Sequence, residues 1–415
     1  MPTNVKRTGN LMKFRFCATR QSQKSPIESY YYVSHISPFH QRPAIWVAMG
    51  SAQGIRINLI SNHRRGRLWS RSSRGYRKGI LIPVLQIIVA CGTLVRSFWL
   101  ASKISARKNN IPVVICNGGI DSLVLALVLR ARRRQVVIDM VDAMLVTKVV
   151  SFERVRELFE RSTLKLANVA VFVSEEQRRS AVMRHMISQE RSVWIPYGIT
   201  DDALKTSSEV IGRLFSDRFI SESAVKRNSE FRIGWFGSLF MHAGVDPNEI
   251  LTVLRGIELA RQAEGIEVKL LLGGVEPNEL MAVVQQEPVN LDFVTCGGRF
   301  VWGSRQHWET LASCDVLVLP SGKHLVDANR AKLYDYMAVG RPIIARETAE
   351  VSRILGSAAK YVDGSPDSWC DAIVNLHATP ELRETLGTKS RNRVEELFAA
   401  SQLSVKLTLV EKLLL

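Results

Sequence analysis

Short, wholly apolar runs bounded by glycine, asparagine and proline recur along the chain, with helically spaced stretches between them. Tyr30–Ser34, aromatic and β-branched, reads as a first strand. Pro43–Ala52 reads as a helix opened by its proline, and Ile55–Ile60 as a second strand. After a basic stretch, a long apolar helix runs to about Lys108. Strand Val113–Cys116, a turn at Asn117-Gly118-Gly119, a helix over Ser122–Arg134 capped by Asp121, and strands Val136–Met140, Ala170–Val173 and Ser192–Ile195 complete this half. A second series starts at FRIGWFG (231–237) and continues through Val268–Leu272, Leu291–Val294, Val316–Leu319 and Pro342–Ala345. Strands that are apolar throughout, rather than alternating, belong to parallel sheets covered on both faces. The expected fold is therefore α/β, with two doubly wound domains in tandem. Residues 1–28 read as a basic tail, 29–200 as the first domain, 201–230 as a linker without strong period, and 231–392 as the second domain. The amphipathic segment 393–415 is placed to cross back onto the first domain.

Composition agrees with two globular domains, since 415 residues exceed what one core organises and 46% apolar residues rule out general disorder. Charge adds something the pattern does not show. Residues 1–110 hold 19 Lys/Arg against one acid, Glu28, a net of +18, which leaves −1 for residues 111–415. So local an excess calls for a local anionic partner, a membrane surface or a nucleic acid. Seven cations of Arg64–Lys78, with Trp69 and Tyr76 among them, precede the apolar Ile80–Val95, and this combination fits a peripheral membrane contact. No nucleic-acid module accompanies the charge, so no nucleic-acid partner is expected. Ile80–Val95 is broken by Pro83 and Gly92 and falls short of the ~18 apolar residues of a spanning helix. Residues 1–28 carry six basic residues and no apolar core of a secretory signal. The six cysteines form no C-x-x-C pair, which points to free thiols in a reducing compartment and to no metal site.

The chemistry concentrates in CDVLVLPSGKHLVDANRAKLYDYMAVGRPIIA (314–345). A buried strand ends at Pro320-Ser321, and a loop leads to a helix of about Asn329–Val339, stopped by Gly340 and Pro342. Ligands of open α/β sheets sit at the carboxyl ends of strands, where helix N-termini present N–H groups to anions. Asn329, Arg330 and Lys332 lie on that first turn. Asp327 precedes the helix, where it can also serve as a cap, and Asp335 lies within it, where it can also pair with Lys332 on an exposed face.

This segment resembles the donor site of retaining GT-B glycosyltransferases of family 4 type (glycosyl transferases group 1). That family has a strand ending in Pro-Ser, a Glu-x7-Glu pair and an EYMA-G-P stretch; here Asp327 and Asp335 keep the spacing and KLYDYMAVGRPIIA the stretch. FRIGWFGSL resembles the family's glycine turn, where Gly237 and Ser238 would approach phosphate. LANVAVFVSEEQRR, SVWIPYGITDD, VVIDMVDAM and YYYVSHISPF resemble further motifs, in order, over about residues 30–400. The resemblance implies two Rossmann-like domains facing across a cleft and metal-independent transfer of a sugar from a nucleotide donor, with retention. Asp327 would bind the sugar, Asp335 the ribose, and Arg330 and Lys332 the diphosphate. Asp142, at a strand end, would orient the acceptor or act as base, or cap its loop. A glycan or lipid-linked acceptor at the cytoplasmic face of a membrane would account for the basic run, within polysaccharide assembly for the cell envelope. No cofactor is implied. The chain departs from the family in using aspartate at both acid positions, in lacking the cations that follow the glycine turn, and in carrying Val141 for a histidine and His40-Gln41-Arg42-Pro43 for a glycine pair. Rival readings are a nucleotide-sugar epimerase, an inactive relative, and a basic nucleic-acid-binding or scaffold protein.

Overall fold

The computed structural model describes residues 27–34, 41–61, 95–106, 111–116, 120–141, 153–221, 230–237, 239, 247–285, 289–320 and 329–415. Asp142, Ser238 and Asp327 lie outside the described residues, as do His40, residues 1–26 and the Arg64–Lys78 run.

The apolar runs form two parallel sheets of six strands each. The first holds β1 (Ser29–Ser34), β2 (Arg56–Ser61), β3 (Val113–Cys116), β4 (Val136–Met140), β5 (Val169–Phe172) and β6 (Ser192–Trp194), in the order β2-β1-β3-β4-β5-β6. The second holds β7 (Phe231–Phe236), β8 (Val268–Gly273), β9 (Val294–Cys296), β10 (Val316–Leu319), β11 (Ile343–Arg346) and β12 (Ala359–Val362), in the order β12-β11-β10-β7-β8-β9. The second sheet has the Rossmann order, whose direction of winding reverses between β7 and β10. Ligands of such sheets bind outside the carboxyl ends of the strands at that reversal.

Alternation along each strand gives the first sheet two apolar faces. Tyr31, Val33, Val113, Ile115 and Ile138 pack beneath helices that include 95–105 and Ile120–Ala131. Tyr30, Tyr32, Val114, Val137 and Val171 face the other way, into a cluster shared with the helices Gln41–Ala52 and Ala400–Leu414. Burying one large apolar side chain contributes about 1.5–3 kcal/mol, so these faces hold the domain together.

Two stretches differ from the sequence expectation. Residues read as a linker form the helix Asp201–Ser221, which packs on the helices Arg305–Ala312 and Ala331–Ala338 of the second domain. Its inward row includes Ser207, fully buried, whose hydroxyl donates to Leu204 and Ala338 carbonyls at 2.8 and 3.2 Å. A serine that satisfies itself in this way occupies a core position without an apolar signal. At the far end, residue 393 lies inside the helix Pro380–Leu397, and the chain crosses later. Ile199 N–H donates to the Phe398 carbonyl at 2.9 Å and Ala400 N–H to the Ile199 carbonyl at 2.8 Å. The helix Ala400–Leu414 then lies on Gln41–Ala52 and on β5 and β6 of the first sheet.

Beneath the helix Gln41–Ala52 lies a charged pair with no exposure at either side chain. Arg42 Nη2 donates to Asp139 Oδ1 at 2.6 Å and Nε to Oδ2 at 2.9 Å, while Nη1 donates to the Pro196 carbonyl at 2.8 Å. Tyr32 and Trp46 also donate to Asp139 Oδ2, both at 2.8 Å. A buried charge is tolerated only when paired and hydrogen-bonded in this way.

Candidate functional site

The reversal in the second sheet places the end of β7 beside the helix Ala331–Ala338, which follows β10. Tyr336, fully buried, fixes the two together, because its hydroxyl accepts the Phe236 N–H at 2.8 Å. Gly237 ends β7. A Cβ there would come within 2.5 Å of Lys332 Nζ and 3.0 Å of the Trp235 ring, so the lysine end group lies directly on the glycine turn. Gly274, at φ +85°, brings the turn after β8 against the Gly237 carbonyl, which a side chain at 274 would strike at 2.5 Å.

Lys332 Nζ sits 4.3 Å from the centroid of the Trp235 ring. Burial pushes its ammonium down to about 7, Arg330 adds to the shift, and Glu249 opposes it. Arg330 is the residue that caps the helix N-terminus, with extended backbone. The corner therefore combines a helix start, a glycine turn and two cations that disfavour each other's charge. An anion placed there relieves that repulsion and restores the charge on Lys332.

Asp335, one turn further on, is 3% exposed. Its Oδ2 accepts the Trp302 indole N–H at 3.1 Å, and its Oδ1 is buried without a hydrogen-bond partner among the described residues. Burial pushes the carboxyl up to about 8, against the lowering effect of the Trp302 bond, so at neutral pH the group holds its proton. The alternative reading of Asp335, as an acid on an exposed helix face paired with Lys332, does not hold, because Asp335 is buried and Lys332 turns to Trp235. His307 Nε2 lies 3.9 Å from Asp335 Oδ2, beyond hydrogen-bond range. His307 Nδ1 accepts the Gly303 N–H at 3.3 Å, which assigns the proton to Nε2, and burial holds the imidazole down to about 4.

Asn329 has a different occupation from the others. Its amide donates to the Val173 carbonyl at 2.9 Å in the first domain and to Glu350 Oε1 at 3.0 Å in the second, while its Oδ1 accepts the Tyr334 hydroxyl at 3.0 Å. Glu350, 1% exposed, also accepts the Glu175 N–H at 3.1 Å at the start of a first-domain helix. Burial raises the Glu350 carboxyl, and these donors pull it back. The Asn329 side chain is thus a bolt between the domains, and only its backbone is left for a ligand.

The structure brings together Gly237, Arg330, Lys332 and Asp335 from the sequence reading. It adds Trp302, Trp235, Glu249 and Glu350, which that reading did not single out. Trp302 follows β9 in a loop with neither strand nor helix period, so only the fold carries it to Asp335. Among the described residues no group of three or more His, Cys, Asp or Glu side chains is placed to hold a metal ion.

Solved structures of other proteins share this fold. The two Rossmann-like domains are the GT-B architecture. The chain is similar to a glycosyltransferase from Rickettsia africae (13% identity, TM-score 0.63, covering 94% of this chain and 99% of the other). It is similar to α,α-trehalose 6-phosphate synthase from Burkholderia multivorans (11% identity, TM-score 0.64, 93% and 96%). It is also similar to Alr3699/HepE from Anabaena, solved in complex with UDP and glucose (12% identity, TM-score 0.58, 92% and 98%). Residues 230–379, which span the site, match the family model described as Glycosyl transferases group 1. Match and architecture together support sugar transfer. No curated protein matches the chain in sequence.

Proposed function

We propose that the chain is a retaining glycosyltransferase that moves a sugar from a nucleotide donor to a lipid-linked or glycan acceptor at the cytoplasmic face of a membrane. The observation that carries this reading is the convergence of Gly237, Lys332 and the N-terminus of Ala331–Ala338 at the reversal of the second sheet, with a buried, half-satisfied Asp335 behind them. The diphosphate lies against Lys332, Arg330 and the helix start, which stabilise the leaving group as its charge develops. Asp335 Oδ1 meets a ribose hydroxyl. As an acid that keeps its proton, it donates as well as accepts. Asp327 and Ser238 keep the roles that the motif gives them, toward sugar and phosphate, and Asp142 faces the acceptor. No step needs a metal.

The test is a thermal-shift screen of nucleotide sugars, followed by transfer assays with the stabilising donor and assignment of the product anomer by NMR. One nucleotide sugar should raise the midpoint and give a product only when acceptor is added, with the donor's anomeric configuration kept. Turnover without acceptor would mean epimerisation instead, and an inverted product would remove the retaining assignment.

Membrane contact draws support from the helix 95–105, whose Val95, Phe98 and Trp99 are 70%, 58% and 58% exposed. It follows directly in sequence on the basic and apolar stretches 64–95. Buried apolar side chains and cations near anionic headgroups add their effects. Phe98→Ser with Trp99→Ser is expected to weaken sedimentation with anionic vesicles by about tenfold or more. Equal sedimentation would exclude this helix from the contact.

A further inference from the structure

A cavity of about 630 Å³ shares no residue with the donor corner. It lies where the helix Glu175–Met183 and β6 of the first domain meet the helix Ala349–Leu355 of the second, with Ala400–Leu414 along its side. Its walls are of two kinds. Trp194, Leu409 and Leu413 are apolar, and the two leucines are 48% and 40% exposed. Arg178, Arg353, Lys406 and Lys412 are cationic, with Glu175 the one acid in the lining.

The two arginines are held in place. Glu175 grips Arg178 through bonds of 2.7 and 2.8 Å, and Arg178 Nη1 donates to Ser192 Oγ at 3.1 Å. Arg353 pairs across the domain boundary with Glu176, and its Nε lies 3.8 Å from Glu350 Oε2. The lysines differ: among the described residues no carboxylate lies within 4.0 Å of Lys406 or Lys412. Lys406 Nζ instead sits 3.8 Å from the centroid of the Trp194 ring. Burial pushes that ammonium down to about 8, although Glu175 and Glu350 pull the other way. Two lysines without a carboxylate in ion-pair range among the described residues, beside two oriented guanidinium groups and over an indole floor and a leucine rim, call for a ligand with a compact anion at one end and an apolar chain at the other.

We infer that this groove binds a phosphate monoester carrying an apolar chain, its phosphate between Lys406, Arg178 and Arg353 and its chain along Trp194, Leu409 and Leu413. Arg353 belongs to one domain, while Trp194 and Arg178 belong to the other, so such a ligand bridges them. The floor also touches the bolt between the domains: Trp194 Nε1 donates at 3.1 Å to the same Val173 carbonyl that accepts from Asn329 at 2.9 Å. The inference does not rest on the proposed reaction.

Calorimetry on the full chain tests it with octyl phosphate, inorganic phosphate, octanol and phosphatidylglycerol vesicles as separate probes. Octyl phosphate, below its micelle concentration, should bind at least about tenfold tighter than phosphate or octanol, because only it uses both walls. Lys406→Met keeps the packing on Trp194 and removes the charge, and should weaken octyl phosphate by about tenfold. Lys412→Glu, at an exposed position, serves as the second variant should the first fail to fold, and Leu409→Asp probes the apolar rim. Octyl phosphate binding no tighter than phosphate, or unchanged in all three variants, overturns the inference. Binding to vesicles alone does so too, since that is adsorption to a surface rather than occupation of the groove.

Discussion

Asp335→Asn is expected to stabilise the protein at pH 8 and to lower its affinity for the nucleotide donor by about two- to tenfold, the worth of the one neutral hydrogen bond that an amide nitrogen cannot accept from the ribose. The two effects have one cause. Within the fold the carboxyl keeps its proton up to about 8, whereas in the unfolded chain it releases it near 3.8. Between those values the folded protein binds more protons than the unfolded one, so the stability linked to this group is complete below 3.8 and is lost as pH rises through about 8. Asparagine does not titrate, and its carbonyl can still accept the Trp302 N–H. The stability advantage of the variant should therefore widen from pH 4 to pH 8 in parallel denaturation series and level off above. A variant that gains stability yet binds donor as tightly as the parent would make Asp335 a packing residue and empty the site assignment of its acid.

The second large effect belongs to the first domain. Arg42→Ala should cost about 3–5 kcal/mol, because it leaves the Asp139 carboxylate buried with only the Tyr32 and Trp46 donors. Urea unfolding reads this directly. Replacing both partners, Arg42→Met with Asp139→Leu, should recover most of the loss, since the pair contributes less than the cost of stranding one member. A loss of less than about 1 kcal/mol for Arg42→Ala would mean that water reaches Asp139.

Much of the architecture was legible because buried parallel strands leave unbroken apolar runs, as at Val113–Cys116 and Val316–Leu319. β9 is displaced, Val294–Cys296 against an expected Leu291–Val294, since the apolar signal there comes from Phe293, fully buried just ahead of a half-covered edge strand. β12, AKYV, is also an edge strand with a lysine in it, and offers no run to read. In the site, Gly237, Arg330, Lys332 and Asp335 could be found through local spacing, because turn, helix start and helix face are neighbours in sequence or tied to a motif. Trp302 and Glu350 could not, since each meets the site only through tertiary packing. Asp139 did leave a signal, a charge inside an otherwise apolar strand, which demands a buried partner. Asp142 at the strand end drew attention in its place.

The helix Ala400–Leu414 completes the first domain although the second is made before it. On the ribosome, the early half of the chain therefore emerges with the β5–β6 end of one sheet side and the outer face of the Gln41–Ala52 helix uncovered, and must wait through synthesis of the whole second half before they are sheltered. Assembly of the two halves is for that reason a single late event, and the nascent first half is the species on which holding chaperones would act.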